Sequence, residues 1–104
     1  MNELITKYQK LLDQYPNNEL ARFSLGKAYF DAGQFSEAKS QFEQALARKP
    51  DWMVVQILLG KCELSLGNKP GAKDCFEHAL KLAIDQHHEG PQAEMEQLLA
   101  ELDQ

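Results

Sequence analysis

The amino-acid sequence predicts an all-α fold of about six helices, and three observations carry that prediction. Apolar residues recur every three or four positions, and no segment alternates with the period of two that a half-buried strand requires. Breakers at Pro16, Gly33, Pro50 and Gly67 separate these periodic stretches. Sliding the chain against itself by 34 residues makes ten positions coincide between residues 25 and 46. Leu25-Gly26-Lys27 falls on Leu59-Gly60-Lys61, Gly33 on Gly67, and Ala38-Lys39 on Ala72-Lys73. Phe42-Glu43 falls on Phe76-Glu77, and Ala45-Leu46 on Ala79-Leu80. A fixed period of this size marks stacked units, each burying on its neighbour an apolar face it cannot bury alone.

The elements follow in order. Residues 2–15 place Leu4, Ile5, Tyr8, Leu11, Leu12 and Tyr15 on one stripe of an amphipathic helix. Pro16 stops it, because a residue before proline is pushed out of the helical region; Asn17-Asn18 then offers N-caps. Residues 19–32 carry Leu20, Phe23, Leu25, Tyr29 and Phe30 on a wide apolar arc that ends at Gly33-Gln34. Residues 35–48 turn Phe35, Ala38, Phe42, Ala45 and Leu46 inward, with Glu43 and Lys39 paired one turn apart outside. Lys49-Pro50-Asp51 closes that helix, and Asp51 is placed to cap the next, over 52–66. Gly67-Asn68 turns the chain again. Asn68 caps a helix reaching about Ile84, and Pro70 sits in its first turn, where a missing N–H is harmless. His87-His88-Glu89-Gly90-Pro91 reads as a loop, and residues 92–102 as a last helix with Met95, Leu98, Leu99 and Leu102 on one stripe.

Size and charge narrow the function classes. A chain of 104 residues makes one domain with a modest core. No apolar run reaches the roughly 20 residues that a membrane-spanning helix needs. The start, Met1-Asn2-Glu3-Leu4, lacks the charged and apolar regions of a signal peptide, so a cytoplasmic location is expected. Net charge is −5; residues 1–52 balance seven basic against seven acidic side chains, whereas 85–104 hold six acids and no Lys or Arg. Nucleic-acid binding, which needs clustered positive charge, is not expected. Cys62 and Cys75 form no CxxC and are expected to be reduced, packed as small hydrophobes.

The repeated residues have a packing logic. Gly26 and Gly60 lie inside helices, where Gly is worse than Ala by about 1 kcal/mol. Such a residue twice at one register suggests a neighbouring backbone too close for a Cβ. Ala38, Ala72, Ala45 and Ala79 give matching small surfaces, and Phe42, Phe76, Leu25 and Leu59 fill the space beside them. Here the chain resembles the tetratricopeptide repeat, a helix–turn–helix of 34 residues with the pattern W-x2-L-G-x2-Y…A-x3-F…P. Residues 19–52 resemble one unit through Leu25, Gly26, Tyr29, Ala38, Phe42, Ala45 and Pro50. Residues 53–86 resemble a second through Leu59, Gly60, Ala72, Phe76 and Ala79. Residues 2–16 are similar to the second helix of a preceding unit, ending in Pro16, 34 before Pro50. The chain departs from the pattern with Arg22 and Gln56 at the Trp position, Glu63 at the Tyr position and Ile84 at the closing Pro. Residues 87–104 fit no third unit without a gap, so 91–103 are assigned to a C-terminal capping helix.

The resemblance implies a right-handed α–α superhelix in a single domain over 1–104, and a role in protein–protein association. In the family, ligands lie along the concave face lined by the first helix of each unit. By register, that face takes Leu20, Phe23, Lys27 and Phe30 from the first unit. It takes Val54, Ile57, Lys61 and Leu64 from the second. The result is an apolar strip with two equivalent lysines, suited to a partner helix or extended peptide. Clamping of a C-terminal carboxylate is not expected, because Phe23, Lys27 and Leu58 stand where the family's clamp has Lys and Asn. A second expectation is that the C-terminal helix or a second copy of the chain covers this strip, the latter as a homodimer, or that a second copy completes the N-terminal half-unit. Trp52 is read either as a binding hot spot or, the preferred expectation, as filler of the seam between units. His78, His87 and His88 form no HxxxH or HExxH, no nucleophile has a partnered base, and no phosphate-binding loop follows a strand. No enzymatic activity, cofactor or metal is expected, and the style is that of a small bacterial scaffold.

Overall fold

The computed structural model describes residues 2–103. Among them the chain forms six helices and no strand. These are α1 (Glu3–Gln14), α2 (Glu19–Asp31), α3 (Phe35–Arg48), α4 (Met53–Ser65), α5 (Lys69–Asp85) and α6 (Glu89–Leu102). None is long and apolar enough to cross a membrane.

Three helices start on an asparagine whose side-chain oxygen satisfies a free amide of the first turn. Asn2 Oδ1 accepts from Leu4 N at 3.0 Å, Asn18 Oδ1 from Ala21 N at 3.1 Å, and Asn68 Oδ1 from Gly71 N at 3.1 Å. Helix α4 differs from expectation. Its N-cap is Trp52 rather than Asp51, and no side chain caps it.

The connections are of two kinds. Between α1 and α2, and between α3 and α4, the chain passes through Pro16 and Pro50. Between α2 and α3, Gln34 N donates to Tyr29 O at 2.9 Å; between α4 and α5, Asn68 N donates to Glu63 O at 2.8 Å. These are Schellman closures, and they need a left-handed residue, which is Gly33 (φ 77°) in one and Gly67 (φ 82°) in the other. The same closure joins α5 to α6, where His88 N donates to Ala83 O at 2.9 Å and His87 holds φ 58°. The expected loop over 87–91 is therefore corrected to a tight turn, and Gly90 and Pro91 lie in the first turn of α6.

Each helix packs mainly on its neighbours in sequence, giving an array of 41 × 28 × 20 Å. Ala38, Phe42 and Ala45 of α3 meet Val55, Leu58, Leu59 and Cys62 of α4. Ala72, Phe76 and Ala79 of α5 meet Ile57 of α4 and Met95 of α6. Leu12 of α1 meets Ala21 and Leu25 of α2. The repeated glycines have a different cause from the neighbouring backbone suggested by the sequence. A Cβ on Gly26 would lie 2.6 Å from Cε1 of Phe42, and one on Gly60 2.5 Å from Cε1 of Phe76. An aromatic rim takes the space.

The departures at the Trp and Tyr positions are also accounted for. Arg22 donates to Pro16 O at 3.1 Å and to Gln41 and Gln44 of α3 at 3.0 and 2.8 Å. Gln56 donates to Pro50 O at 3.3 Å and lies 3.2 Å from Nδ1 of His78 on α5. Each polar side chain thus ties the preceding proline carbonyl to the second helix of its own hairpin. Glu63, buried, accepts from Asn68 Nδ2 at 2.9 Å, and its other oxygen lies 2.9 Å from Lys39 Nζ. Lys39 therefore pairs across helices rather than with Glu43 one turn away.

Candidate functional site

Helices α2 and α4 hold equivalent places 34 residues apart, so the side chains chosen by register lie on matching stripes. Their surroundings are not equal. In α2, Leu20 is 70% exposed, whereas Phe23 is half-buried with its ring 5.3 Å from Trp52 and 6.4 Å from Phe42. Trp52 also lies under the Lys49 ammonium, 5.3 Å from Nζ, and joins the core cluster between the hairpins. Phe30 packs edge-on against Phe35 at 5.5 Å, across the turn that joins α2 to α3. Lys27 Nζ lies 2.8 and 2.9 Å from the two carboxylate oxygens of Asp31, one turn along its own helix.

In α4, Val54 is 44% and Leu64 37% exposed, but Ile57 is only 8% exposed, in one core cluster with Ala72 and Phe76 of α5 and Met95 of α6. Lys61 Nζ reaches Glu94 of α6 at 3.1 Å. Helix α6 is thus one wall of the α4 surface. The resulting groove holds about 400 Å³ and is lined by Met53, Val54, Ile57, Leu58, Lys61, His88, Pro91 and Glu94. A smaller depression of about 160 Å³ lies between α1 and α2, bordered by Leu4, Tyr8, Phe23 and Lys27 among others.

The eight side chains therefore divide. Phe23 and Phe30 are committed in large part to packing, and Ile57 forms groove floor and core at once. Leu20, Val54 and Leu64 present apolar surface, and each lysine faces an acid of its own chain. His88, Pro91 and Glu94 were not among the residues chosen from the sequence. The self-coincidence at 34 stops before them, so nothing in the register could place α6 against α4.

The groove's floor is aliphatic, its charges are paired at one end, and His88 stands at the N-terminus of α6. Among the described residues, no group of three or more His, Cys, Asp or Glu side chains is gathered to hold a metal ion. Cys62 and Cys75 are both free thiols, one buried and one half-buried. Burial first, and the Glu63 charge next, push both up to about 11. Such thiols are protonated, poor nucleophiles near neutral pH.

Comparison with known proteins places this geometry. A family model described as tetratricopeptide repeat matches residues 5–52 and 30–102. No curated protein sequence matches the chain. Among solved structures, protein BPP2914 from Bordetella parapertussis is similar over 99% of this chain and 90% of its own, at 29% identity and a TM-score of 0.85. PcrH from Pseudomonas aeruginosa is similar over 96% of this chain and 76% of its own, at 21% identity and a TM-score of 0.86. The first TPR of Spaghetti, bound to the HSP90 peptide SRMEEVD, is similar over 96% of this chain and 78% of its own. Its identity to this chain is 23% and its TM-score 0.80.

Proposed function

Because this chain belongs to the tetratricopeptide repeat family, we propose that it is a protein–protein interaction module, a scaffold rather than an enzyme, that holds a partner segment against α4. The observation that carries the reading is the groove of about 400 Å³ between α4 and α6, with Val54 exposed at its lip and Ile57 and Leu58 in its floor. A concave, mostly apolar surface with a few polar groups at its ends is the form a peptide site takes. The solved repeat domain that carries an HSP90 peptide supports peptide capture on this fold.

The chemistry favours an apolar segment, helical or extended, over an acidic tail. Lys61 is paired with Glu94, and Lys27 with Asp31, so an incoming carboxylate would have to displace an internal acid at each lysine. The partner's affinity then comes from side chains seated on Val54, Ile57 and Pro91, with charge setting only its direction.

The test is selection of peptides from a random displayed library on the isolated protein, followed by amide chemical-shift mapping of the best binder. Perturbations should gather on Val54, Ile57, Lys61 and Pro91. Val54→Glu, at an exposed position, should weaken binding at least tenfold with helicity unchanged. Shifts gathered on the α3 or α5 surface, or full affinity in the Val54→Glu protein, would reject the groove.

A further inference from the structure

The two walls of the groove between α4 and α6 carry unequal charge. On α4 the lining side chains are apolar except Lys61. On α6 they are His88, Pro91 and Glu94, which follow one another at three-residue spacing along one edge of the helix. Glu101 lies seven residues beyond Glu94, two turns on and only about 20° round, so it extends the same edge. Residues 85–104 hold six acids and no Lys or Arg, so apart from His88 the ionisable groups that α6 brings to this edge are all carboxylates.

The lysine of the groove is already engaged, with its Nζ 3.1 Å from Glu94. Glu101 is not. It is exposed, accepts from the Gln97 side-chain amide at 3.3 Å, and takes part in none of the ion pairs among the described residues. Lys73 of α5 reaches the same end of α6, but at Asp103, 3.7 Å away and on the opposite side of the helix from Glu101. On α2, Lys27 is bound to both carboxylate oxygens of Asp31. One cation against two acids leaves the groove negative, at the end away from His88.

We infer that the segment held in this groove is basic as well as apolar. It seats an aliphatic or aromatic side chain on Val54, Ile57 and Pro91, and it sets a lysine or arginine beside that anchor against Glu101. The inference rests on the peptide-capture reading above and adds to it the partner's charge and direction. An acidic segment meets two carboxylates, and a lysine that one of them already holds. A basic side chain reaches Glu101 without breaking any ion pair of the fold, and Glu94 lies two turns away on the same edge. Glu94 and Glu101 therefore determine which segments are accepted, while the apolar floor supplies most of the affinity. An exposed pair of this kind changes affinity by up to about fivefold.

The test selects one random displayed peptide library in parallel on the wild-type chain, on Glu101→Lys and on Glu94→Gln. Both positions are exposed, the Glu94 side chain by 46%, and circular dichroism checks that each variant stays helical. Wild type should return peptides with Lys or Arg in clear excess over Asp and Glu beside the apolar anchor. Glu101→Lys should lose that excess, and Glu94→Gln, which frees Lys61, should admit acidic side chains. The best wild-type binder is then compared with the same peptide carrying glutamine at its basic position. Glu101→Lys should weaken the basic peptide about fivefold and leave the glutamine peptide unchanged, a difference that a merely structural effect would not produce. Added salt should narrow the gap between the two peptides on the wild-type chain. Groove-bound peptides with no basic excess, or an equal effect of Glu101→Lys on both peptides, would overturn the inference and leave peptide capture standing. No selected peptide, or shifts gathered away from α4 and α6, would remove the groove reading and this inference with it.

Discussion

Gly26 and Gly60 set two effects of known size against each other. Exchanging a helical Gly for Ala gains about 1 kcal/mol of helix propensity, whereas forcing an extra carbon into a packed core costs typically 1–3 kcal/mol. The ring carbons of Phe42 and Phe76 lie so near the missing Cβ that something must move, and each ring is fully buried among other helices. Gly26→Ala and Gly60→Ala are therefore expected to lower stability by about 1–2 kcal/mol in denaturant titrations, against the sign propensity alone would give. A second residue-scale consequence comes from the pocket around Glu63. Burial and the Glu63 charge raise the thiols of Cys62 and Cys75 to about 11 from 9.0. The Lys39 ammonium is also held above its ordinary value, by its hydrogen bond to Glu63 and then by that carboxylate's charge. All three groups keep their protons longer in the folded chain than in the unfolded one. Their contribution is fully present below about pH 9 and is lost as pH rises towards 11 and beyond. The unfolding free energy is expected to fall on the order of 2 kcal/mol per thiol over that window, and Cys75→Ala should remove one thiol's share.

At the scale of the element, His87 does in the α5–α6 turn what Gly33 and Gly67 do in the other two closures. A non-glycine residue in the left-handed region costs roughly 1–2 kcal/mol. His87→Gly is thus expected to raise the midpoint of thermal unfolding by a few degrees, with the helix content of α6 retained. The same turn explains where reading the sequence stopped. Apolar spacing, the asparagine caps and the two glycine turns located five helices to within a residue or two, because each signal is local. Gly90-Pro91 read as a breaker, yet proline is accepted in a first turn, and no local signal tells a histidine that will adopt positive φ from one that will not. The site was half legible for a related reason. Register chose Val54, Ile57 and Lys61, which line the groove, but left open whether the C-terminal helix covers the strip; α6 walls it and leaves Val54 exposed. Likewise, Lys39 has an acid within one turn at Glu43, so its pairing with Glu63 on the next helix was hidden from any local rule.

Taken whole, the molecule is a row of helices rather than a closed bundle. Its candidate site follows from that: the groove exists because α6 stands beside α4 without covering Val54. Contacts run mainly between elements adjacent in sequence, and the Ala-Phe-Ala face of α3 and of α5 recurs in the two large core clusters. That pattern bears on how such a chain can change over time. Copying a 34-residue segment at the Lys49–Trp52 seam would hand every rod the neighbours it already accepts. The row could gain a storey, and new frontage for ligands, while α1 and α6 kept the kind of neighbour each has now.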